Sequence, residues 1–247
     1  MLERNVAEGV HRIEHADVNV YLLEDDDGVT VVDTGLPAAF GHIEAALREI
    51  GRSTSQIRAI VLTHSHFDHV GSARRAHRQW QVPVWVHRDE EFLTAHPYRY
   101  KHERSRLLYP IRYPRCIGVL ARMAAAGALT VRGVSDPTLF DSGAQLDVPG
   151  RPRVVFTPGH TLGHCALHLP DRGALISGDA LVTLDPYTCR RGPHIVAGAA
   201  TADSRQALES LSALAETGAE TVLPGHGQPW YDGAEAAVAV ALRAGPS

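Results

Sequence analysis

The stretch AIVLTHSHFDH at residues 59–69 joins a short apolar run to a dense group of ligand-type side chains. Its apolar part, residues 59–62, predicts a buried strand. Residues 63–69 then carry three histidines and one aspartate, at a place where side chains can meet without filling a core. Imidazole nitrogen and carboxylate oxygen are ligands for a borderline divalent metal, above all zinc. A histidine-rich surface loop is the simpler alternative, but four such residues at a strand end favour a metal site.

The spacing within this stretch indicates how the ligands divide between two positions. His64 and His66 alternate, so they share one face of an extended segment. Asp68 and His69 follow the turn and can point elsewhere, toward a second metal.

Further short motifs follow predicted strands elsewhere in the chain. Each places a ligand-type residue after an apolar run: Asp33-Thr34-Gly35 after residues 29–32, Pro158-Gly159-His160 after 153–156, Gly178-Asp179 after 174–177, and Pro224-Gly225-His226-Gly227 after 221–223. Other predicted strands are 18–23, 82–86 and 165–169, and the predicted helices are about 72–79, about 201–217 and the tail from Gly233. Two mixed sheets with helices outside, an αβ/βα sandwich, fit this order.

The motif HxHxDH and the loops after it resemble the signature of the metallo-β-lactamase superfamily. The resemblance extends over about residues 18–230 and is weakest at about 88–145. It implies an α/β fold, a four-layer αβ/βα sandwich of two mixed sheets, in a single domain over residues 1–247. In such a fold the metal loops gather at one rim between the sheets.

The resemblance also implies a ligand set for two divalent ions. One ion is expected to be bound by His64, His66 and His160, the other by Asp68, His69 and His226, with Asp179 bridging both. Asp33 is expected to hydrogen-bond a ligand and hold it in position, although a turn aspartate is the alternative. His164 either supports the site similarly or serves packing. Zinc is the expected metal, and the ligand types leave iron and manganese open.

A dinuclear site of this kind implies hydrolytic chemistry. Two neighbouring ions would lower the pKa of a shared water and supply hydroxide near neutral pH. Hydroxide would attack an ester, lactone or thioester carbonyl, with Asp68 orienting it. Alternatives of the same fold are an iron-dependent sulfur dioxygenase with one metal at His64, His160 and Asp179, a phosphodiesterase, a β-lactam hydrolase, and a non-catalytic binding protein.

Particular residues indicate which branch of the superfamily this chain resembles. Asp179 provides a bridging carboxylate that true metallo-β-lactamases of this motif subtype lack, and His66 stands where flavo-diiron proteins have glutamate. The chain stops soon after His226, so we expect no glutathione-binding domain of the glyoxalase II type. Length and insertion point resemble N-acyl homoserine lactonases. Val182 replaces the tyrosine that follows their bridging aspartate, and Tyr187 is a nearby substitute.

Residues 88–145 are predicted to form a helical insertion that lies over the metal cleft. Four of the seven tyrosines fall here, at 98, 100, 109 and 113, together with many basic residues. We expect Arg104, Tyr109, Arg112 and Tyr187 to contact a small, anionic substrate. A flap or dimer surface without a role in chemistry is the alternative.

Composition excludes several classes of partner. The net charge of −4 and the pI near 6.4 offer no basic surface for nucleic acid. No apolar run approaches membrane-spanning length, and the N-terminus lacks the apolar segment of a secretory signal. The three cysteines, Cys116, Cys165 and Cys189, are predicted to be free thiols in a reducing cytoplasm. We therefore expect a cytoplasmic enzyme, monomeric or homodimeric.

Overall fold

A computed structural model describes residues 1–246, and within that range the chain forms thirteen β-strands and seven α-helices. The strands are β1 (Leu2–Ala7), β2 (Val10–His15), β3 (Val18–Asp25), β4 (Gly28–Val32), β5 (Ile57–Val61), β6 (Val84–His87), β7 (Thr138–Phe140), β8 (Arg153–Phe156), β9 (Cys165–Leu169), β10 (Ala174–Gly178), β11 (Val182–Leu184), β12 (Arg191–His194) and β13 (Thr221–Pro224). The helices are α1 (Ala39–Glu49), α2 (Ala73–Trp80), α3 (Glu91–Ala95), α4 (Tyr109–Arg112), α5 (Cys116–Ala125), α6 (Ser204–Ala215) and α7 (Ala234–Ala244).

Two mixed sheets form the body of the fold. The larger has the order β1-β2-β3-β4-β5-β6-β7, antiparallel from β1 to β4 and parallel from β4 to β7. The smaller has the order β13-β10-β9-β8, in which only β13 and β10 are parallel. Strands β11 and β12 form a separate antiparallel pair.

Three apolar layers join the helices and sheets in the order helix, sheet, sheet, helix. In β3, Val20 and Leu22 pack with α1 and α2, while Tyr21 and Leu23 pack between the sheets, because successive side chains of a strand point to opposite faces. Helices α6 and α7 cover the outer face of the smaller sheet, where Leu211 is fully buried. Each buried leucine of this kind contributes roughly 1.5–3 kcal/mol. The predicted four-layer α/β sandwich is thereby confirmed.

Hydrogen bonds between loops close one rim of the sandwich. The amide of Cys165 donates to the carbonyl of Thr63 at 2.9 Å, which joins the smaller sheet to the loop after β5. The amide of Asn19 donates to the carbonyl of Gly225 at 2.8 Å and joins the larger sheet to the loop after β13. The loops that carry the sequence motifs are therefore fixed against one another.

The segment between β6 and β7 contains the helices α3, α4 and α5. Helix α5 packs through Val119 and Met123 against Val18 and Leu36. One boundary differs from the sequence prediction. Thr138–Phe140, inside the expected helical insertion, forms β7 of the larger sheet. A three-residue strand is too short to show a period in the sequence.

Other elements were not predicted from the sequence. Strands β1 and β2 extend the larger sheet at its edge, and β11 with β12 follows Asp179. Within residues 1–246, no helix combines the length and the apolar character needed to cross a membrane.

Candidate metal centre

The structure brings all seven predicted ligands into one buried cluster. Their nitrogen and oxygen atoms form three overlapping groups, each within 4.8 Å: His64, His66 and His160; His64, His69 and Asp179; and Asp68, His69 and His226. Four loops supply them, after β5, β8, β10 and β13. All seven side chains are buried, and the most accessible, Asp68, is 6 % exposed.

Asp179 lies between the two predicted halves of the cluster. Its carboxylate oxygens are 3.5 Å from Nε2 of His69, 3.4 Å from Nε2 of His160 and 3.3 Å from Nε2 of His226. This single carboxylate therefore faces histidines of both expected metal positions. Asp68 lies 3.3 Å from Nε2 of His226, on one side only.

Unpaired polar atoms at the centre of the cluster fit a cation. Nε2 of His64, His66 and His69 and Oδ1 of Asp179 are buried, yet none has a hydrogen-bond partner among the described residues. Leaving a buried polar atom unpaired costs about 1–3 kcal/mol. Nitrogen and carboxylate donors without thiolates suit zinc, iron or manganese. The residues present are thus the set that a pair of divalent ions would satisfy.

Asp33 fixes the orientation of His69. Its Oδ2 is 2.9 Å from Nδ1 of His69, and because a carboxylate only accepts, Nδ1 must carry the hydrogen. Nε2 is then the atom directed into the cluster. The amide and hydroxyl of Thr63 donate to the same carboxylate at 2.8 Å each. Asp33 follows β4 directly and adopts a positive φ of 57°.

His164 uses both ring nitrogens outside the cluster centre. Its Nε2 accepts from the amide of Asp179 at 3.0 Å, and its Nδ1 is 2.8 Å from the hydroxyl of Thr157. It is therefore not a further ligand, and it fixes the backbone of Asp179. His226 is oriented in a comparable way, because its Nδ1 donates to the carbonyl of Asp17 at 2.7 Å.

The electrostatic environment differs between the two sides of the cluster. Burial, reinforced by neighbouring imidazoles, lowers the pKa of His64 and of His160 well below the ordinary value, and burial lowers the pKa of His66 to about 4. At His69 burial acts in the same direction, but the carboxylates of Asp179, Asp33 and Asp68 overcome it and raise the pKa to about 9. At His226 the carboxylates of Asp179 and Asp68 likewise outweigh burial and raise the pKa well above its ordinary value.

Glu90 is a residue of this region that the sequence did not single out. It is 1 % exposed, and its carboxylate accepts from the amide of Ser65 at 2.9 Å and from the amide of Gly163 at 3.0 Å. It thereby joins the loop of His64 and His66 to the loop that follows His160. Burial raises the pKa of Glu90 to about 7. Its neighbours Asp89 and Glu91 are exposed acids, so nothing in the sequence distinguished it.

A small pocket opens on the cluster and is closed by the insertion. It encloses about 20 Å³ and is lined by His66, Phe67, Asp68, Tyr100, Leu120, Met123, Asp179, Pro186, Tyr187, Val196, Ala200 and His226. That space is about the room of one water. Tyr187 lines this pocket, and its contact with a substrate stays a prediction. Tyr100, which the sequence placed only among the tyrosines of the insertion, is there too.

The other three predicted substrate residues line a different and larger cavity. It measures about 590 Å³ and is bordered by Arg104, Ser105, Leu108, Tyr109, Arg112, Tyr113 and Pro246. The ring of Tyr109 lies 5.8 Å from the ring of Tyr187, centroid to centroid. A pair of aromatic rings therefore stands between this cavity and the pocket at the cluster.

Comparison with known proteins assigns the fold to a family. The model of the metallo-beta-lactamase superfamily matches residues 15–226. The probable metallo-hydrolase YflN of Bacillus subtilis (strain 168) is 30% identical over 237 residues, which cover 90% of this chain and 85% of that protein. The probable metallo-hydrolase YqgX of the same organism is 28% identical over 170 residues, 66% of this chain and 65% of that protein.

Solved structures agree with the sequence relatives. The metallo-beta-lactamase family protein TTHA1429 from Thermus thermophilus superimposes with a TM-score of 0.66 and 29% identity, covering 94% of this chain and 79% of that chain. TTHA1623, solved in a di-iron-bound form, gives a TM-score of 0.66 and 26% identity over 91% of this chain and 95% of that chain. With the shared fold and the matched loops, this chain belongs to the metallo-beta-lactamase superfamily.

Proposed function

We propose that this chain is a hydrolase that uses two divalent ions to cleave an ester-, lactone- or thioester-type carbonyl. The position of Asp179 carries the proposal, because one carboxylate faces His69, His160 and His226 at 3.3–3.5 Å. A site for one ion would not need a carboxylate shared in this way. Zinc is the proposed metal, and the di-iron form of TTHA1623 makes iron the first alternative.

The residues of the chain divide the proposed chemistry among them. The bound ions would supply Lewis acidity and lower the pKa of a water in the cluster. Asp68 lines the pocket and would orient the attacking water and take up its proton. Asp33 and His164 would hold His69 and Asp179 in place. The apolar side chains of Phe67, Leu120 and Met123 would exclude other water from the pocket.

Substitution of Asp179 by alanine tests the shared carboxylate. We expect Asp179→Ala to abolish turnover and to reduce bound metal while the secondary structure is retained, because the orienting contacts of Asp33 and Glu90 remain. The exposed Asp26→Asn, in the turn after β3, is the matched control. Turnover should be measured on a panel of lactones, thioesters, aryl esters, phosphodiesters and β-lactams, with metal content determined on the same sample. Full activity in Asp179→Ala would overturn the proposal.

The large cavity supports an anionic substrate. Two guanidinium groups, Arg104 and Arg112, border it, and its described lining includes no acidic residue. A volume of about 590 Å³ is in the range of small-molecule sites. The reacting carbonyl would lie at the cluster and the anionic end would extend toward the arginines. Since the pocket at the cluster has room for about one water, admission of a substrate would require Tyr100 or Tyr187 to move.

A pair of substrates that differ only in charge tests this cavity. We expect Arg104→Ala and Arg112→Ala each to raise KM about tenfold for a carboxylated ester and to leave KM for its neutral methyl-capped analogue unchanged. Arg78→Ala, exposed on α2, is the control for loss of a surface charge. Equal effects on the charged and neutral substrates would exclude the anionic subsite.

A further inference from the structure

The phenols of Tyr100 and Tyr187 form a pair at the pocket. Both side chains line it, together with His66, Asp68, Asp179 and His226. The two side chains are close enough for each to influence the pKa of the other. Tyr100 is 8 % exposed, and its ring lies 4.0 Å from the ring of His66, centroid to centroid. The pair therefore forms a wall of the pocket made by the insertion and the loop after β11.

The guanidinium group of Arg106 polarises the hydroxyl of Tyr100. Its Nη1 donates to the hydroxyl oxygen of Tyr100 at 2.9 Å, and its guanidinium carbon lies 4.8 Å from the centre of the Tyr100 ring. No ion pair involves Arg106 within residues 1–246. Its charge is therefore directed at the phenol rather than offset by a carboxylate.

Counting donors shows that the hydroxyl hydrogen of Tyr100 is left over. The oxygen of Tyr100 accepts from Arg106, and among the described residues its own hydrogen has no hydrogen-bond acceptor. A hydrogen bond accepted from a cation makes that hydrogen a stronger donor.

We propose that Tyr100 donates a hydrogen bond to the leaving-group oxygen of the substrate. This inference rests on the proposed ester, lactone or thioester hydrolysis. Ions held by the cluster residues would supply Lewis acidity toward the carbonyl oxygen. Tyr100 is then the donor available to the other ester oxygen, which belongs to the leaving group. For a thioester the same position would face sulfur, a weak acceptor, so the contribution of Tyr100 would be small.

The atoms and charges of the proposed hydrolysis balance, and no proton is taken from Tyr100. The oxygen of water forms a bond to the carbonyl carbon, and the bond from that carbon to the leaving oxygen breaks. The leaving oxygen keeps the electron pair and receives the proton that Asp68 took from the water. Tyr100 keeps its own proton and stabilises the negative charge while it develops.

A series of esters of one acid with different alcohols tests this role. We suggest para-nitrophenyl, phenyl and ethyl butyrate, whose leaving groups are progressively more basic. A poor leaving group needs the hydrogen bond, whereas para-nitrophenolate does not. We expect Tyr100→Phe to lower kcat for ethyl butyrate about 100-fold, to change kcat for the para-nitrophenyl ester less than threefold, and to leave KM nearly constant.

Matched variants separate this role from a structural one. Arg106→Gln should reproduce the same dependence on the leaving group to a smaller degree, and Arg106→Lys should restore part of it. Tyr231→Phe, at an exposed tyrosine outside the lining of both cavities, should change all three esters equally and little. Because Arg106 is only partly buried, its variants keep the inference testable if Tyr100→Phe folds poorly.

The outcomes distinguish the inference from the function on which it rests. If wild-type protein cleaves the esters and Tyr100→Phe and Arg106→Gln affect all of them equally or not at all, the inference is wrong and the proposed function stands. If the metal-loaded wild type cleaves no ester, lactone or thioester, the proposed function and the inference both fall.

Discussion

At the scale of single residues, the buried carboxyl of Glu90 holds two loops of the cluster together. The cluster residues Asp179 and His160 each lie in a short motif directly after an apolar strand, so local sequence was sufficient to predict that they belong to it. Glu90 contacts the cluster loops through Ser65 and Gly163, which are 25 and 73 residues away in the chain. Such partners are brought together only by the fold, and no local pattern marks them.

Glu90 leads to a prediction about the pH dependence of stability. Its pKa is about 7 in the folded chain and 4.5 ordinarily, so the folded state binds the proton more tightly than the unfolded state. Its contribution is therefore most favourable at acid pH and declines as the pH rises from about 4.5 through 7. In metal-free protein we expect the unfolding free energy of wild type, relative to Glu90→Gln, to fall between pH 5 and pH 7 by at most about 1.4 kcal/mol per unit.

Urea unfolding of both proteins across this range measures the difference. The exposed neighbour Glu91→Gln is the control and should show no such slope. A difference between wild type and Glu90→Gln that is independent of pH would contradict the assignment of a buried, proton-binding carboxyl at this position.

At the scale of elements, the loops after β10 and β13 approach so closely that only glycine fits between them. A β-carbon at Gly225 would overlap Oδ1 of Asp179 and would lie 2.8 Å from Cε1 of His69. The sequence showed the glycine of the Pro224-Gly225-His226 motif but not this contact. The small residue is thus part of the geometry of the cluster.

Two glycine-to-alanine substitutions, one at this close approach and one in open space, should therefore have different effects. Gly225→Ala is expected to displace the Asp179 carboxylate and to weaken zinc binding at least about tenfold, because the side chains that must move are proposed ligands. Gly41→Ala, on α1 with nothing within 4 Å of its added carbon, should stabilise the protein by about 0.5–1 kcal/mol. Zinc titration against a chelating dye and thermal unfolding measure the two effects, and unchanged zinc affinity in Gly225→Ala would contradict the close approach.

The elements that could be predicted from the sequence were those with a clear helical period or a continuous apolar run. Helices α2 and α6 lie within or next to the ranges expected from their spacing, and β5, β9 and β10 coincide with apolar runs. Strand β7 has three residues, and β11 and β12 pair only with each other. Elements that short depend on tertiary contacts for their existence, so hydrophobic pattern alone does not reveal them.

At the scale of the whole molecule, the cluster lies where the two sheets meet. Asn19 of the larger sheet donates to the carbonyls of Pro224 and Gly227, at 2.7 and 2.8 Å, and so fixes the loop that carries His226. The hydroxyl of Tyr21 donates to the same Pro224 carbonyl at 2.7 Å. Ions bound at the cluster would therefore join both halves of the sandwich.

Removal of metal should destabilise the entire fold rather than one loop. A ligand that binds only the folded state adds about 2.7 kcal/mol per site when its free concentration is 100 times its Kd. We expect chelation to lower the Tm in a single transition and added zinc to restore it. Asp179→Ala should show a much smaller response to both treatments. A Tm in wild type that is insensitive to chelator and to zinc would contradict this linkage.

The most direct test of the account is the number of divalent ions that one chain retains. Purified protein would be stripped with chelator, loaded with zinc, separated from free metal by gel filtration and assayed for zinc and protein. The account predicts two ions per chain in wild type. A wild-type chain that retains one ion, or none, would contradict it.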